Sequence, residues 1–411
     1  MVQRLIAKLA QTAILFLLSS PSFGDTNRVQ GLWPQWRGPA RDGICREENL
    51  LAEWPPSGPR LLWKKTGLGK GWSCPVFGEG LIFITGDIGE DLFVFALNEK
   101  GKLVWKSKNG RSWRGSYPGA RACCTYYKGK VYNLNAHGTL TCFEARTGRP
   151  SWTVNILKRF GGREITWGLS ECVLVYEGKV FVCAGGKEAL AAALDAESGR
   201  TLWKTPPLKG DEVSHASPIL FSFAGRKIIS SCSASHGFGV DAEKGNLLWT
   251  VPLRNPFGVN VATPVYHQGS IYYVTPYTQL GRKYKLFPGR NGIRAELQWV
   301  VPLDTVTGCS VLWDGVLYAA GYRKKKWWFA VDWETGKILS ELRDLTTGSA
   351  IYASGRLYCL DERGNVALVS PSPKDFRVIS SFRFSSKRIY DAWAHPVIHK
   401  ARLFIRYHDT L

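Results

Sequence analysis

Carboxylates are scarce in this chain: 33 aspartates and glutamates stand against 54 lysines and arginines, a formal net charge of +21 over 411 residues. A surface so short of acids draws anions. The expected partner is an acidic protein, a polysaccharide or an anionic envelope surface, bound with strong salt dependence. Long apolar runs are missing as well. No stretch after residue 24 approaches the roughly 20 residues that a membrane-crossing helix needs, so no transmembrane segment is expected. No pair among His215, His236 and His395 has metal-ligand spacing and no third ligand accompanies them, so no metal site is expected. A phosphate-cradling loop is absent, because Gly67-Leu-Gly-Lys-Gly lacks the spacing and the following helix. Ser170, Ser214 and Ser217 sit in no nucleophile turn, which leaves a hydrolase triad without local support. With no catalytic residues assigned, the sequence points to binding rather than catalysis.

What the chain does have is a repeat. A valine- or aromatic-rich run meets a glycine, turns and resumes as a second run at Gly80, Gly129, Gly178, Gly225, Gly269, Gly315 and Gly355, with Ala401 in the eighth slot. The spacing runs from 40 residues (Gly315 to Gly355) to 49 (Gly80 to Gly129), a period that signals a propeller or solenoid. A second turn follows each hairpin, as in LDAESGRTLW (194–203) and VDAEKGNLLW (240–249). Its acid bonds its own backbone, its glycine takes the left-handed position, and a tryptophan ends the next strand. Each unit therefore makes four antiparallel strands, A to D.

Trp105, Trp152, Trp203, Trp249 and Trp299 fall on strand D, where a large ring wedges against the neighbouring unit and shields an edge. Residues 61–65, Leu-Leu-Trp-Lys-Lys, read as a lone D strand that docks on the last unit. The fold expected is all-β: an eight-bladed propeller of four-stranded antiparallel blades closed by that N-terminal strand. Seven blades is the alternative if the unit after Gly355 does not form. The division expected is a signal peptide over 1–24, a lead segment over 25–60 and the propeller over 61–411. Arg4, Lys8, the apolar Ala13–Leu18 and the small-residue site Ser22-Phe23-Gly24 carry the export reading. The protein is then a soluble periplasmic or secreted monomer, for which nucleic acid is the less natural polyanion. The ten cysteines sit mostly in strand-like runs and read as free core thiols.

Propeller topology puts D–A and B–C loops on one face. The main cations assigned to that face are Lys106, Lys108, Arg111 and Arg114; Lys158, Arg159 and Arg163; Arg282, Lys283, Lys285, Arg290 and Arg294; and Arg323, Lys324, Lys325 and Lys326. Trp113, Tyr117, Trp327 and Trp328 are interleaved with them, and arginine beside tryptophan is the composition of binding hot spots. His215, Trp393 and His395 lie near strand starts and are expected to line the central channel.

The Asp-x-x-x-Gly-x-x-x-Trp turns resemble the pyrroloquinoline-quinone (PQQ) repeat of quinoprotein dehydrogenases and BamB-like proteins. WPQWRGPARDG (33–43), GLGKGWSCP (67–75) and DAWAHPV (391–397) resemble exported BamB-like members more specifically. The likeness implies two alternatives to a free-standing binding protein. One is a scaffold in outer-membrane protein assembly. The other is a PQQ- and calcium-dependent alcohol or sugar dehydrogenase. For that enzyme, Cys123-Cys124 is similar to a vicinal disulfide lying against PQQ, and Glu171, Asn260 and Asp304 supply oxygen ligands to calcium.

Overall fold

The computed structural model describes residues 33–277, 280–290, 292–384 and 391–411. The expected export signal lies outside the described residues. Each repeat folds into a sheet of four consecutive antiparallel strands. The first comprises Val76–Gly78, Leu81–Ile88, Asp91–Asn98 and Leu103–Arg111. Six more follow, ending with Gly348–Ala353, Arg356–Asp361, Asn365–Val369 and Val378–Arg383, so the unit around Gly355 forms in full. A two-stranded ribbon, Val397–His399 with Arg402–Phe404, comes last. The first strands of the first and second, second and third, and sixth and seventh sheets adjoin one another. One short helix, Ile156–Phe160, is the only one among the described residues.

The A–B hairpins turn as the glycines require. All seven glycines have φ of +72° to +81°, each after a non-glycine residue at +44° to +52°. Two successive positive φ angles make the type I′ turn, whose twist matches that of the flanking strands. Lys400 and Ala401 adopt the same angles in the last ribbon, at +51° and +53°.

Tryptophans link sheet to sheet. Trp105, Trp152, Trp203 and Trp299 donate their indole N–H to Ala145, Ala196, Ala242 and Trp333 carbonyls of the next C–D turn, at 2.8 to 3.2 Å. Trp249 departs from the pattern and donates to the Tyr273 hydroxyl at 3.2 Å. The next sheet has a long C–D hairpin, Leu280–Pro288 with Ile293–Val301, that carries its turn out of reach. Trp63 does follow the pattern, donating to Glu99 O at 3.1 Å in the first sheet's turn. Lys65 and Leu411 exchange main-chain hydrogen bonds of 2.8 and 2.9 Å. Leu61 and Leu62, expected in a D strand, belong to none and stay exposed.

That long hairpin also corrects the charge reading. Lys283 and Lys285 lie on its first strand, Arg294 on its second and Arg290 in the C–D turn, not in a D–A or B–C loop; Arg282 is on the first strand too, just past the B–C loop, and Lys106 and Lys108 lie on the strand Leu103–Arg111. Lys283 is buried. Its ammonium lies 4.8 Å from the Trp333 ring and donates to Trp333 O at 2.7 Å. Aromatic faces and a carbonyl replace the water the ammonium gives up.

The segment from Trp33 to Cys45 runs along the axis and touches every sheet. Trp33 O accepts from Phe77 N–H and Pro34 O from Tyr126 N–H. The Arg41 guanidinium donates to Cys172 O, Val173 O and Pro218 O. Trp36 Nε1 donates to Thr263 Oγ1 at 2.9 Å, and Arg37 donates to Ser310 O at 2.6 Å. Ile44–Cys45 pairs in parallel with Tyr352 and Ala353 of the last four-stranded unit. Trp36 finally packs at a tilt of 55° against His395, with ring centroids 4.3 Å apart.

The interlocking tryptophans make a graded prediction. A Cβ at Gly199 meets the Trp152 ring at 2.7 Å, whereas one at Gly80 meets nothing within 4 Å, at similar positive φ. Gly80→Ala is expected to cost about 1 kcal/mol from backbone strain alone, and Gly199→Ala roughly 2–4 kcal/mol because the indole must leave its slot. Denaturant unfolding measures both, and equal losses would contradict the packing.

Candidate functional site

Where the first strands begin, small polar side chains tie neighbouring sheets together around the channel. Cys74 N–H donates to Cys123 Sγ at 3.1 Å, Cys123 N–H to Cys172 Sγ at 3.2 Å and Cys172 N–H to Ser217 Oγ at 2.9 Å. Thr263 N–H donates to Cys309 Sγ at 3.4 Å. All ten cysteines are buried free thiols.

Next to these residues, lined largely by D–A and B–C loops, lies a cavity of about 340 Å³ to whose wall Trp36 also contributes. That volume is within the ~300–1,000 Å³ of typical ligand clefts. Its walls are aromatic and come from different inter-sheet loops. Trp72 packs on Trp393 at 4.7 Å, and Tyr117 on Trp393 at 5.0 Å. Phe257 meets Tyr277 at 4.7 Å and Trp167 at 6.4 Å. Arg323 lies 5.0 Å over the Tyr277 ring and 5.6 Å over Tyr322. Arg121 is held by the Trp167, Gly119 and Tyr117 carbonyls. Burial lowers its pKa only to about 10, so it stays cationic at neutral pH.

Of the expected channel residues, His215 and Trp393 line this cavity, while His395 lies behind Trp36. Burial, with nearby Arg121 adding to it, depresses the His215 pKa to about 4. Ser170 Oγ lies 3.3 Å from His215 Nδ1. This is a nucleophile–base pair in outline, but an imidazole so hard to protonate is a weak base.

The expected basic-face residues divide into two groups. Arg114 pairs with Glu90, Arg163 with Glu212, Lys325 with Glu341, and Arg111 approaches Glu164 at 3.9 Å. Lys324 and Lys326 are exposed and have no ion pair among the described residues. Trp113 is a correction. It is buried beneath the Arg121 guanidinium at 5.2 Å, its main-chain N–H bound to Asp87, so it shapes the loop instead of presenting a ring to a partner. Trp328 is likewise buried, donating to Thr346 O.

The residues assigned to quinone and calcium do not fit those groups. Cys123 lies against Cys74, with sulfurs 3.0 Å apart, and both Cys123 and Cys124 are free thiols. The pair precedes the strand Thr125–Tyr127, and the Cys123 sulfur also accepts Cys74 N–H, so it is engaged across to the neighbouring unit and not with Cys124. Glu171 accepts Cys183 N–H at 2.9 Å, and burial raises its carboxyl pKa to about 8, leaving it protonated at neutral pH. Both Asp304 oxygens are taken by the Tyr322 and Arg323 N–H groups, at 2.7 and 3.0 Å. The Asn260 amide donates to Ser233 O and Leu253 O. Each side chain ties its own loop to a different segment, and among the described residues no three His, Cys, Asp or Glu side chains converge on a metal position.

Sequence reasoning missed Trp36, Trp72, Arg121, Trp167, Phe257, Tyr277 and Tyr322. A signal was present: an aromatic residue recurs in most D–A loops, at Trp72, Tyr117, Trp167, Phe257 and Trp393. It was masked by the stronger tryptophan period of the D strands.

Comparison with known proteins gives two kinds of relative. The family model described as outer membrane protein assembly factor BamB matches residues 48–155 and 90–340. Quinohemoprotein alcohol dehydrogenase ADH-IIG of Pseudomonas putida is 29% identical over 167 residues, 37% of this chain and 22% of that protein. The dehydrogenase subunit of the quinone alcohol dehydrogenase of Acetobacter aceti is 29% identical over 134 residues, covering 28% of this chain and 17% of that one. The chain spans about a fifth of the length of these curated relatives. Among solved structures, BamB from Moraxella catarrhalis superposes with a TM-score of 0.60 at 16% identity, over 84% of this chain and 95% of that one. Quinohemoprotein alcohol dehydrogenase from Comamonas testosteroni gives 0.64 at 12% identity, over 91% and 76%. At those identities the structural likeness shows the propeller fold alone.

The buried carboxyl gives a pH prediction. Glu171 keeps its proton up to about 8 in the fold but only to 4.5 in the unfolded chain. The folded state therefore binds more protons between those values, and this group's stabilisation is lost as pH rises through that window. Glu171→Gln keeps an acceptor for Cys183 N–H and removes the titration. Its melting temperature relative to the parent is expected to climb from about pH 5 to about pH 8, and a constant difference would count against a protonated Glu171.

Proposed function

We propose, for a chain that belongs to the BamB family of PQQ-repeat β-propellers, a non-catalytic binding role in the cell envelope, with an acidic macromolecule as partner. In this reading the protein is exported as a monomer. The ribbon at Val397–Phe404 is the eighth blade, completed by the stretch around Trp63 and Lys65. The observation that carries the reading is the aromatic cavity on the D–A and B–C face, which shares that face with Arg111, Arg114, Arg163, Arg323 and Lys324–Lys326. Positive charge there raises the encounter rate with anions, and the recessed rings supply contact area once the partner arrives.

A second reading, a PQQ- and calcium-dependent alcohol or sugar dehydrogenase, is favoured by the sequence matches to quinone-dependent alcohol dehydrogenases. Against it stand the occupied oxygens of Asp304 and the protonated Glu171. A BamB-like scaffold in outer-membrane protein assembly is a special case of the binding reading, with a protein as the acidic partner.

The purified chain is expected to bind immobilised polyanions, with elution at moderate salt. Replacing Lys324, Lys325 and Lys326 together by glutamate is expected to weaken binding about tenfold at low ionic strength and much less at high. Reconstitution with PQQ and calcium is expected to give no dye reduction with alcohols or sugars. Quinone-dependent turnover, or polyanion binding indifferent to the triple reversal, would remove the proposal.

A further inference from the structure

A second cavity, of about 400 Å³, opens beside the aromatic one, and Arg111, Lys158, Arg163, His137 and Glu164 contribute to its wall. One indole touches a wall residue of each. Trp113 carries the Arg121 guanidinium of the axial cavity on its ring at 5.2 Å and packs at 5.5 Å against His137 of the second. The face thus sets an aromatic box beside a cationic pocket. Arg111 and Arg163 keep most of their side-chain surface in solvent, each with a single carboxylate neighbour, Glu164 and Glu212. A planar guanidinium has five donors, so each retains several for an incoming anion.

We infer that the acidic partner is a polysaccharide carrying carboxylate or sulfate groups: one sugar ring enters the aromatic cavity while the acid of a neighbouring residue reaches Arg111, Lys158 and Arg163. This rests on the acidic-partner reading above and narrows it.

The chemistry of the cavity favours a sugar over the two competing partners. A pyranose has two C–H faces and a rim of hydroxyls. Trp72, Trp393 and Tyr117 offer rings to the former, and Ser170, Ser217 and Thr307, lining the same cavity, offer polar groups to the latter. An anionic membrane calls for rings that protrude, whereas Trp36, Trp72 and Trp393 line a recess. An extended acidic peptide gains affinity by pairing with an open strand edge. The inner strand edges here are already engaged by Trp33–Cys45 and by the cysteine–serine girdle.

Calorimetry with the full chain tests this, using a uronate oligosaccharide, poly-glutamate and phosphatidylserine vesicles as probes. The uronate is expected to bind tightest. Trp393→Ala and Tyr117→Ala are each expected to weaken it about five- to tenfold through lost ring contact, leaving poly-glutamate unaffected. Arg111→Glu with Arg163→Glu is expected to weaken both polymers. Tyr117 is half exposed, so its replacement reports on the cavity even if the Trp393 variant does not fold. Uronate affinity unchanged in Tyr117→Ala, or poly-glutamate or vesicles binding as tightly as the uronate, would overturn the polysaccharide inference and leave the acidic-partner reading standing. Failure of all three probes to bind would remove that reading as well.

Discussion

The inner edge of each sheet is the constraint on which the rest of this structure depends. The first strand of a unit has a neighbour from its own unit on one side only, and its other edge needs outside partners for its N–H and C=O groups, as Gly348–Ala353 finds in Ile44–Cys45. Buried main-chain groups without partners cost about as much as lost hydrogen bonds. The chain meets this demand twice. The girdle of thiols and hydroxyls binds N–H groups where the strands begin, and the axial segment Trp33–Cys45 binds groups further along. Arginine suits the second task, because one fork reaches several carbonyls. Arg41 gathers those of Cys172, Val173 and Pro218 from two adjacent sheets. Burial brings its pKa down to about 10, still well above neutral.

The same economy explains the carboxylates. In a chain so short of them, Asp87, Glu171, Asp211 and Asp304 are spent on loop N–H groups and on His236. Glu171 is protonated at neutral pH, while His215 and His395, with pKa values lowered to about 4 and about 3, are uncharged. The charge left at the aromatic cavity is then that of Arg121 and Arg323. Neutral walls with cationic corners suit a ligand with apolar faces and acidic edges, and give little purchase for general acid–base chemistry at that pH.

Much of the architecture was legible in the residues. Positive-φ glycines at a regular interval located every A–B hairpin, and the acid–glycine–tryptophan turns located the sheet-to-sheet contacts, Trp63 included. What failed was local alternation read as loop. Lysines and arginines over 280–288 suggested a solvated surface, yet Lys283 is buried under two indoles. The site was less legible. Trp113 and Trp328 looked like exposed anchors and are packed inside, and the oxygen ligands suggested by resemblance turned out to be ties from separate loops to their neighbours.

The sequence by itself determined the repeat, its strand count and its turn chemistry, because these are set by backbone preferences acting over a few residues. It also determined the sign of the charge. Only the tertiary structure decided which cations remain free, since pairing with Glu90, Glu164, Glu212 and Glu341 is a contact between distant segments. Only it could bring Trp36 from the start of the chain and Trp393 from near its end into one cavity. A ligand cleft at a propeller's mouth takes one residue from each loop, and no local pattern records which side chains turn inward.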